Sequence, residues 1–171
     1  MKHTITLLVE NSFGAFDRVA TMFSAKGFNI HSISIGETEI QKISRMTIVT
    51  SGEDKIIEQI VKQLNRLVDT IKVMDLTGHD RIERELALIT VNIQNASLEQ
   101  IKNLGDIFRG KVVDINNKTI TLEFTGPPAK INAAVNVLMP FGIKEMARTG
   151  TVALQRGEQV KQYKKDMAMI S

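Results

Sequence analysis

T-I-T-L-L-V-E-N-S-F-G-A-F-D-R, residues Thr4–Arg18, changes its periodicity partway along, and that change decides how the chain is built. Ile5, Leu7 and Val9 alternate with Thr4, Thr6 and Leu8, the period of two that suits a half-buried strand, so a strand runs up to Glu10. After Gly14 the apolar residues Phe16, Val19, Ala20 and Phe23 recur at the spacing of a helix face, and Gly27 supplies a stop. The hand-over falls on E-N-S-F-G-A-F-D-R, Glu10–Arg18, which gathers an amide, a hydroxyl, a Phe and a Gly. Ser12 or Asn11 would cap a helix starting near Ala15, Gly14 would take an unusual backbone angle, and Asp17 suits the first turn. The same turn leaves backbone N–H groups at the positive end of a helix, where a carboxylate binds favourably. Cap and ligand seat both stay open on this chemistry.

Beyond Gly27, I-H-S-I-S-I-G and S-R-M-T-I-V-T-S-G are β-rich runs separated by the polar E-T-E-I-Q-K, which reads as a hairpin. Ile57, Ile60, Val61 and Leu64 mark a second helix, and T-I-K-V-M-D-L a further strand. The order is βαββαβ, and it recurs. E-L-A-L-I-T-V-N is a strand, Leu98, Ile101, Leu104 and Phe108 line a helix, and Gly110 ends it. K-V-V-D-I-N and K-T-I-T-L-E-F form a hairpin through Asn116 and Asn117. Ile131, Ala134, Val135 and Leu138 give a fourth helix after Pro127 and Pro128, and G-I-K-E-M-A-R-T-G the last strand. The expected fold is therefore α+β: two ferredoxin-like βαββαβ units, each an antiparallel sheet with its helices on one face. Units this small, with one sheet face uncovered, are marginal alone, so an oligomer is expected.

Composition narrows function by exclusion. Hydrophobic residues make up 43% of the 171 residues and charged residues 24%, which is the balance of a folded globular protein. The net charge of +3 owes much to Lys161, Lys164 and Lys165 near the end, a weak basis for nucleic-acid binding. There is no cysteine, hence no disulfide, thiolate metal site or thiol nucleophile. No apolar run approaches the ~20 residues that span a bilayer, and M-K-H-T-I-T-L-L-V-E meets an acid too soon for a signal peptide, so a cytoplasmic location is expected. His3, His31 and His79 fall in separate elements without metal-ligand spacing, and no phosphate-cradling or nucleophile-elbow motif occurs. Glu83 and Glu85, beside Arg84 and Arg81, read as solvated charge rather than an acid/base pair. Met22, Met46 and Met74 read as core filling.

An amino acid needs donors for its carboxylate, acceptors for its ammonium and an apolar slot for its side chain. The loop amides, the Asn11 and Asn29 side chains, and Phe13, Ile30 or Ile33 supply that set, with Asn29 of G-F-N-I at a sheet edge or a dimer seam.

The ordered run E-N-S-F-G-A-F-D-R-V-A-T-M-F-S-A-K-G-F-N-I, S-R-M-T-I-V, E-Q-I-V-K-Q-L-N-R-L-V-D, I-E-R-E-L-A-L-I-T-V and F-R-G-K-V-V-D resembles the small regulatory subunit of acetolactate synthase (acetohydroxyacid synthase) over nearly the whole chain. The resemblance implies an ACT domain at residues 1–78, a linker at 79–84, a C-terminal ferredoxin-like domain at 85–154 and a basic tail at 155–171. It implies a non-catalytic subunit that activates a large catalytic chain and confers feedback inhibition by valine, with leucine or isoleucine as further effectors. It carries no cofactor of its own; thiamine diphosphate, magnesium and FAD are expected on the partner. The effector would sit between two ACT domains of a homodimer, held by Asn11, Ser12, Phe13, Gly14 and Ala15 of one chain and Asn29 and Ile30 of the other. Phe13 and the charged hairpin E-T-E-I-Q-K-I-S depart from the family pattern. A stand-alone amino-acid-binding ACT regulator, for example of transcription, is the alternative, although no basic recognition helix is visible. A ferredoxin-like RNA binder is disfavoured, because the chain has one Tyr, no Trp and no aromatic-rich strand for base stacking.

Overall fold

A computed structural model describes residues 1–93 and 98–157. The Lys161, Lys164 and Lys165 cluster lies outside the described residues, as does most of the expected tail. By contacts the chain forms two units, one of Met1–Ile82 together with the segment from Thr151, the other of Glu83–Gly150.

The first unit runs β1 (Lys2–Glu10), α1 (Ala15–Ala25), β2 (Ile30–Glu37), β3 (Ile43–Ser51), α2 (Asp54–Leu64) and β4 (Thr70–Asp75). Its antiparallel sheet has the order β2-β3-β1-β4, with β1 central. Alternation along β1 sends Ile5, Leu7 and Val9 to one face. There they meet Met46 and Ile48 of β3, Val19, Met22 and Phe23 of α1, and Ile57, Ile60 and Leu64 of α2. Each fully buried side chain of this kind contributes about 1.5–3 kcal/mol. Both helices thus lie on one face, as their three-and-four spacing requires.

The end of α1 shows local sequence setting local structure. Gly27 takes the left-handed region (φ +68°), the Gly27 N–H donates to Ser24 O at 3.1 Å, and the Phe28 N–H donates to Phe23 O at 3.0 Å. This is the paired-bond helix end that favours glycine, and it brings the Phe23 and Phe28 rings edge to face at 6.2 Å.

The opposite sheet face is covered as well. Leu8 and Ile43 are buried there with Ile40 and Ile71 against them, while Thr6 and Thr47, directly opposed across the strands, are buried too. A further strand, β9 (Val152–Gln155), lies against β1 and β3 and buries Ala153. The sequence reading stops its last strand at R-T-G and passes over β9, because V-A-L-Q is too short to carry a period.

The second unit repeats the plan: β5 (Arg81–Asn92), α3 (Leu98–Ile107), β6 (Lys111–Ile115), β7 (Thr119–Gly126), α4 (Pro128–Leu138), a 3₁₀ turn (Met139–Phe141) and β8 (Ile143–Arg148), in the order β6-β7-β5-β8. Even the irregularities recur. The central strand slips register against its last partner between Leu8 and Val9 in one unit and between Thr90 and Val91 in the other. Its core joins Ala87, Ile89 and Val91 of β5 to Ile120, Leu122 and Phe124 of β7, with Ile101 of α3 and Ile131, Ala134 and Leu138 of α4.

Two expectations change. Residues 81–84, expected as linker, are the start of β5, so only 76–80 connect β4 to β5. Glu85 is not solvated: it is buried, and Arg148 on β8 grips it through Nε at 3.1 Å and Nη2 at 2.5 Å while donating to Asn132 at 3.0 Å. Pairing with β8, invisible along the sequence, supplies that counter-charge. At the end of α3 the left-handed residue is Arg109 (φ +51°), not Gly110. Gly110 is needed for space, since a Cβ there would lie 2.4 Å from Phe124 Cε1.

Candidate functional site

The link from β1 to α1 is a tight turn. The Ser12 N–H donates to Glu10 O at 2.8 Å, Ala15 N–H to Ser12 O at 3.2 Å, and Arg18 N–H to Gly14 O at 3.0 Å. Gly14 occupies the N-cap at φ +81°, ψ 0°, a left-handed conformation that costs glycine little and a side chain much. The expectation that Ser12 or Asn11 caps α1 is corrected, because Gly14 takes that place and α1 has no side-chain cap. Ser12 Oγ instead donates to Asp69 Oδ1 at 2.7 Å. Asn11 Nδ2 donates to Glu37 Oε1 at 2.9 Å and Gln41 O at 3.3 Å.

The consequence is a row of free donors. Among the described residues, none accepts from the backbone N–H groups of Phe13, Gly14, Phe16 or Asp17. Together with the dipole of α1 they form the kind of surface that receives a carboxylate. Ala15 is buried beneath them, whereas the Phe13 ring stands wholly in solvent.

An ion pair braces the turn. Arg18 Nε donates to Asp69, Arg18 Nη2 donates to the Phe13 carbonyl at 3.2 Å, and Asp69 O accepts the Glu10 N–H at 2.8 Å. Donation from Arg18, and then from Ser12, holds the Asp69 carboxyl below the ordinary aspartate range. The Asp69 hydrogen bond raises Arg18 above its usual value, so both remain charged at neutral pH.

Of the expected effector residues, the fold gathers Asn11, Ser12, Phe13, Gly14 and Ala15 at one end of the sheet and puts Asn29 and Ile30 at the other. Strand registers make this plain: Ile30 is level with Thr50 and so with His3 at the start of β1, whereas Glu37 is level with Ser44 and so with Val9 at its end. Seven residues of strand separate the two groups, roughly 23 Å. Asn29 is exposed, Ile30 is half-buried on the core, and the Asn29 carbonyl accepts from Thr50 Oγ1 at 2.6 Å. Asn29 precedes and Ile30 begins β2, an edge strand.

Sequence reasoning passed over Arg18, Asp69 and Glu37. Arg18 stood within the quoted stretch, one helical turn beyond Gly14, and that spacing was the available signal. Asp69, 57 residues from Ser12, gave none.

The histidines take separate structural places. His3 is buried with Nδ1 3.2 Å from Asp75 Oδ2, and since a carboxylate only accepts, Nδ1 donates. His31 lies 2.9 Å from Ser51 Oγ. Among the described residues, no His, Asp and Glu side chains gather as a metal site, and no helix is long and apolar enough to cross a membrane.

Two βαββαβ units, the first opening with a glycine turn of free N–H groups, define a protein with an N-terminal ACT domain. Residues 5–72 match the model of the AHAS (acetohydroxyacid synthase) small subunit-like ACT domain, and residues 84–157 match that of the small subunit of acetolactate synthase. The chain belongs to the acetolactate synthase small subunit family. It is 51% identical to the acetolactate synthase small subunit of Aquifex aeolicus over 94% of this chain and 84% of that protein. It is 46% identical to a probable acetolactate synthase small subunit of Archaeoglobus fulgidus, over 93% and 99% of the two chains. Its fold is similar to the crystal structure of the small subunit from Thermotoga maritima, with a TM-score of 0.83 and 41% identity over 92% of this chain and 99% of that one.

Proposed function

We propose that this chain is the regulatory subunit of acetolactate synthase, that it activates a large catalytic chain, and that it confers feedback inhibition by valine, with leucine and isoleucine competing. Acetolactate formation, with its thiamine diphosphate, magnesium and FAD, belongs to the large chain; this one binds the effector. The observation that carries the reading is the set of free N–H groups on Phe13, Gly14, Phe16 and Asp17 beside the Asn11 amide. It offers donors for a carboxylate and an amide oxygen for an ammonium.

The edge position of β2 supports the same reading. If two copies pair β2 edge to edge and antiparallel about the middle of the strand, Ile30 of one copy falls near Glu37 of the other, and Glu37 already touches Asn11. Asn29 and Ile30 of one copy then close the seat formed by Asn11–Ala15 of its mate. An effector bridging that seam favours one pairing geometry, and the usual coupling of ~1–3 kcal/mol shifts activity several-fold to a hundredfold. An apolar slot distinguishes one methylene by only ~1–3 kcal/mol, hence the competition among branched side chains.

The test is Gly14→Asp in the reconstituted complex. The new side chain strains the φ +81° turn and starts 3.1 Å from Arg18 Nη1, and it puts a negative charge beside the N–H groups that receive the effector carboxylate. Acetolactate formation is expected to become insensitive to valine, with valine-free activation measured alongside to detect a misfolded chain. Full valine sensitivity in this variant removes the assignment of the site.

A further inference from the structure

The Glu10–Ala15 loop is held from two sides. On one, the Asn11 N–H donates to Lys42 O at 2.7 Å and the Asn11 amide to Gln41 and Glu37, which ties the loop to the β2–β3 hairpin. On the other, Asp69, in the connection from α2 to β4, is bonded to Glu10 through its carbonyl, to Ser12 through Oδ1 and to Arg18 through Oδ2. Arg18 reaches back along α1 to the Phe13 carbonyl, and its Nη1 lies 3.1 Å from where a Cβ on Gly14 would stand. The planar fork of Arg18 spans Asp69 and Phe13 at once, which an ammonium on a flexible stem does not reproduce. Neither side chain belongs to the hydrophobic core of its unit.

We propose that Arg18 and Asp69 are the positioning pair of the effector loop: without touching the effector, they hold Ser12–Gly14 in the conformation whose N–H groups receive it. This rests on the assignment of Asn11–Ala15 as the effector seat. A loop fixed before binding spends less of the binding energy on its own ordering, so losing either member weakens affinity at a distance. Because Asp69 is also bonded to Glu10, the pair links the end of β1 to the α2–β4 connection.

Calorimetry with valine on the full small chain tests this, using Arg18→Lys, Asp69→Asn, Asp69→Glu and the Arg18→Lys/Asp69→Asn double variant, all close in shape to the native residues. Each of Arg18→Lys and Asp69→Asn is expected to weaken valine binding about threefold to thirtyfold. The double variant is expected to be no weaker than the worse single one, as for residues acting as a unit, and Asp69→Glu to regain part of the loss. A purely structural role would lower the melting temperature and leave affinity, read well below melting, unmoved. Wild-type affinity in both single variants, or losses that add in the double, overturns the proposal while the effector seat stands. Failure of the wild-type chain to bind valine overturns the seat and this proposal together.

Discussion

Asp69 is kept charged by the bonds that shape the loop, and that gives it a pH signature. Arg18, then Ser12, lower its native carboxyl below the ordinary aspartate range. A depressed native value means that the unfolded chain binds the proton more readily, so the contribution to stability is whole above about pH 4 and is lost as pH falls through the native value. Urea unfolding of the wild-type chain and of Asp69→Asn is therefore expected to show a gap near pH 7 that closes towards pH 2. A gap constant across that range would mean that Asp69 is not held by charge. The gap itself should be small, because Arg18 is partly exposed and solvent screens the pair. Phe13, whose carbonyl is pinned by Arg18 while its ring stands in solvent, belongs to this turn through its backbone alone.

At the scale of elements, a turn is as strict about volume as about angle. Gly110 follows α3, and an added methyl would lie 2.4 Å from the ring of Phe124, which is buried in the second core and has no room to retreat. Gly110→Ala is expected to cost about 1–3 kcal/mol, read as a lower denaturant midpoint with an unchanged slope. An unchanged midpoint would show that the core yields there. Periodicity identified Gly110 as a helix stop, but the crowding that demands glycine comes from β7, across the sheet. The same boundary divides what was legible. Alternation in β1 and three-and-four spacing in α1, α2 and α4 mark elements with one wet and one dry side, and the repeated βαββαβ order follows from them. The start of β5, R-I-E-R, was hidden because its charges resemble a linker, and Glu85 looked solvated because its partner Arg148 lies 63 residues away. In the site, Asn11 and Gly14 were legible from the chemistry of a strand-to-helix turn. Asp69 was not, since only the pairing of β4 with β1 brings it there.

At the scale of the molecule, the expected effector residues occupy opposite ends of one sheet, so the proposed seat, if it uses them all, needs two copies. That requirement has a consequence independent of any single substitution. If the loop comes from one copy and Asn29 from its mate, a Gly14→Asp chain and an Asn29→Ala chain each form dimers with no intact seat. A mixed dimer concentrates both lesions in one seat and leaves the other wholly native. Random mixing in equal amounts makes half the dimers mixed, each with one native seat, so about one quarter of the wild-type valine capacity should return. Calorimetry on the two variants, alone and after co-refolding, measures this directly, with wild-type affinity expected at the recovered sites. A mixture that binds no more valine than its components would show that the seat lies within one chain, and the antiparallel β2 pairing would have to be abandoned.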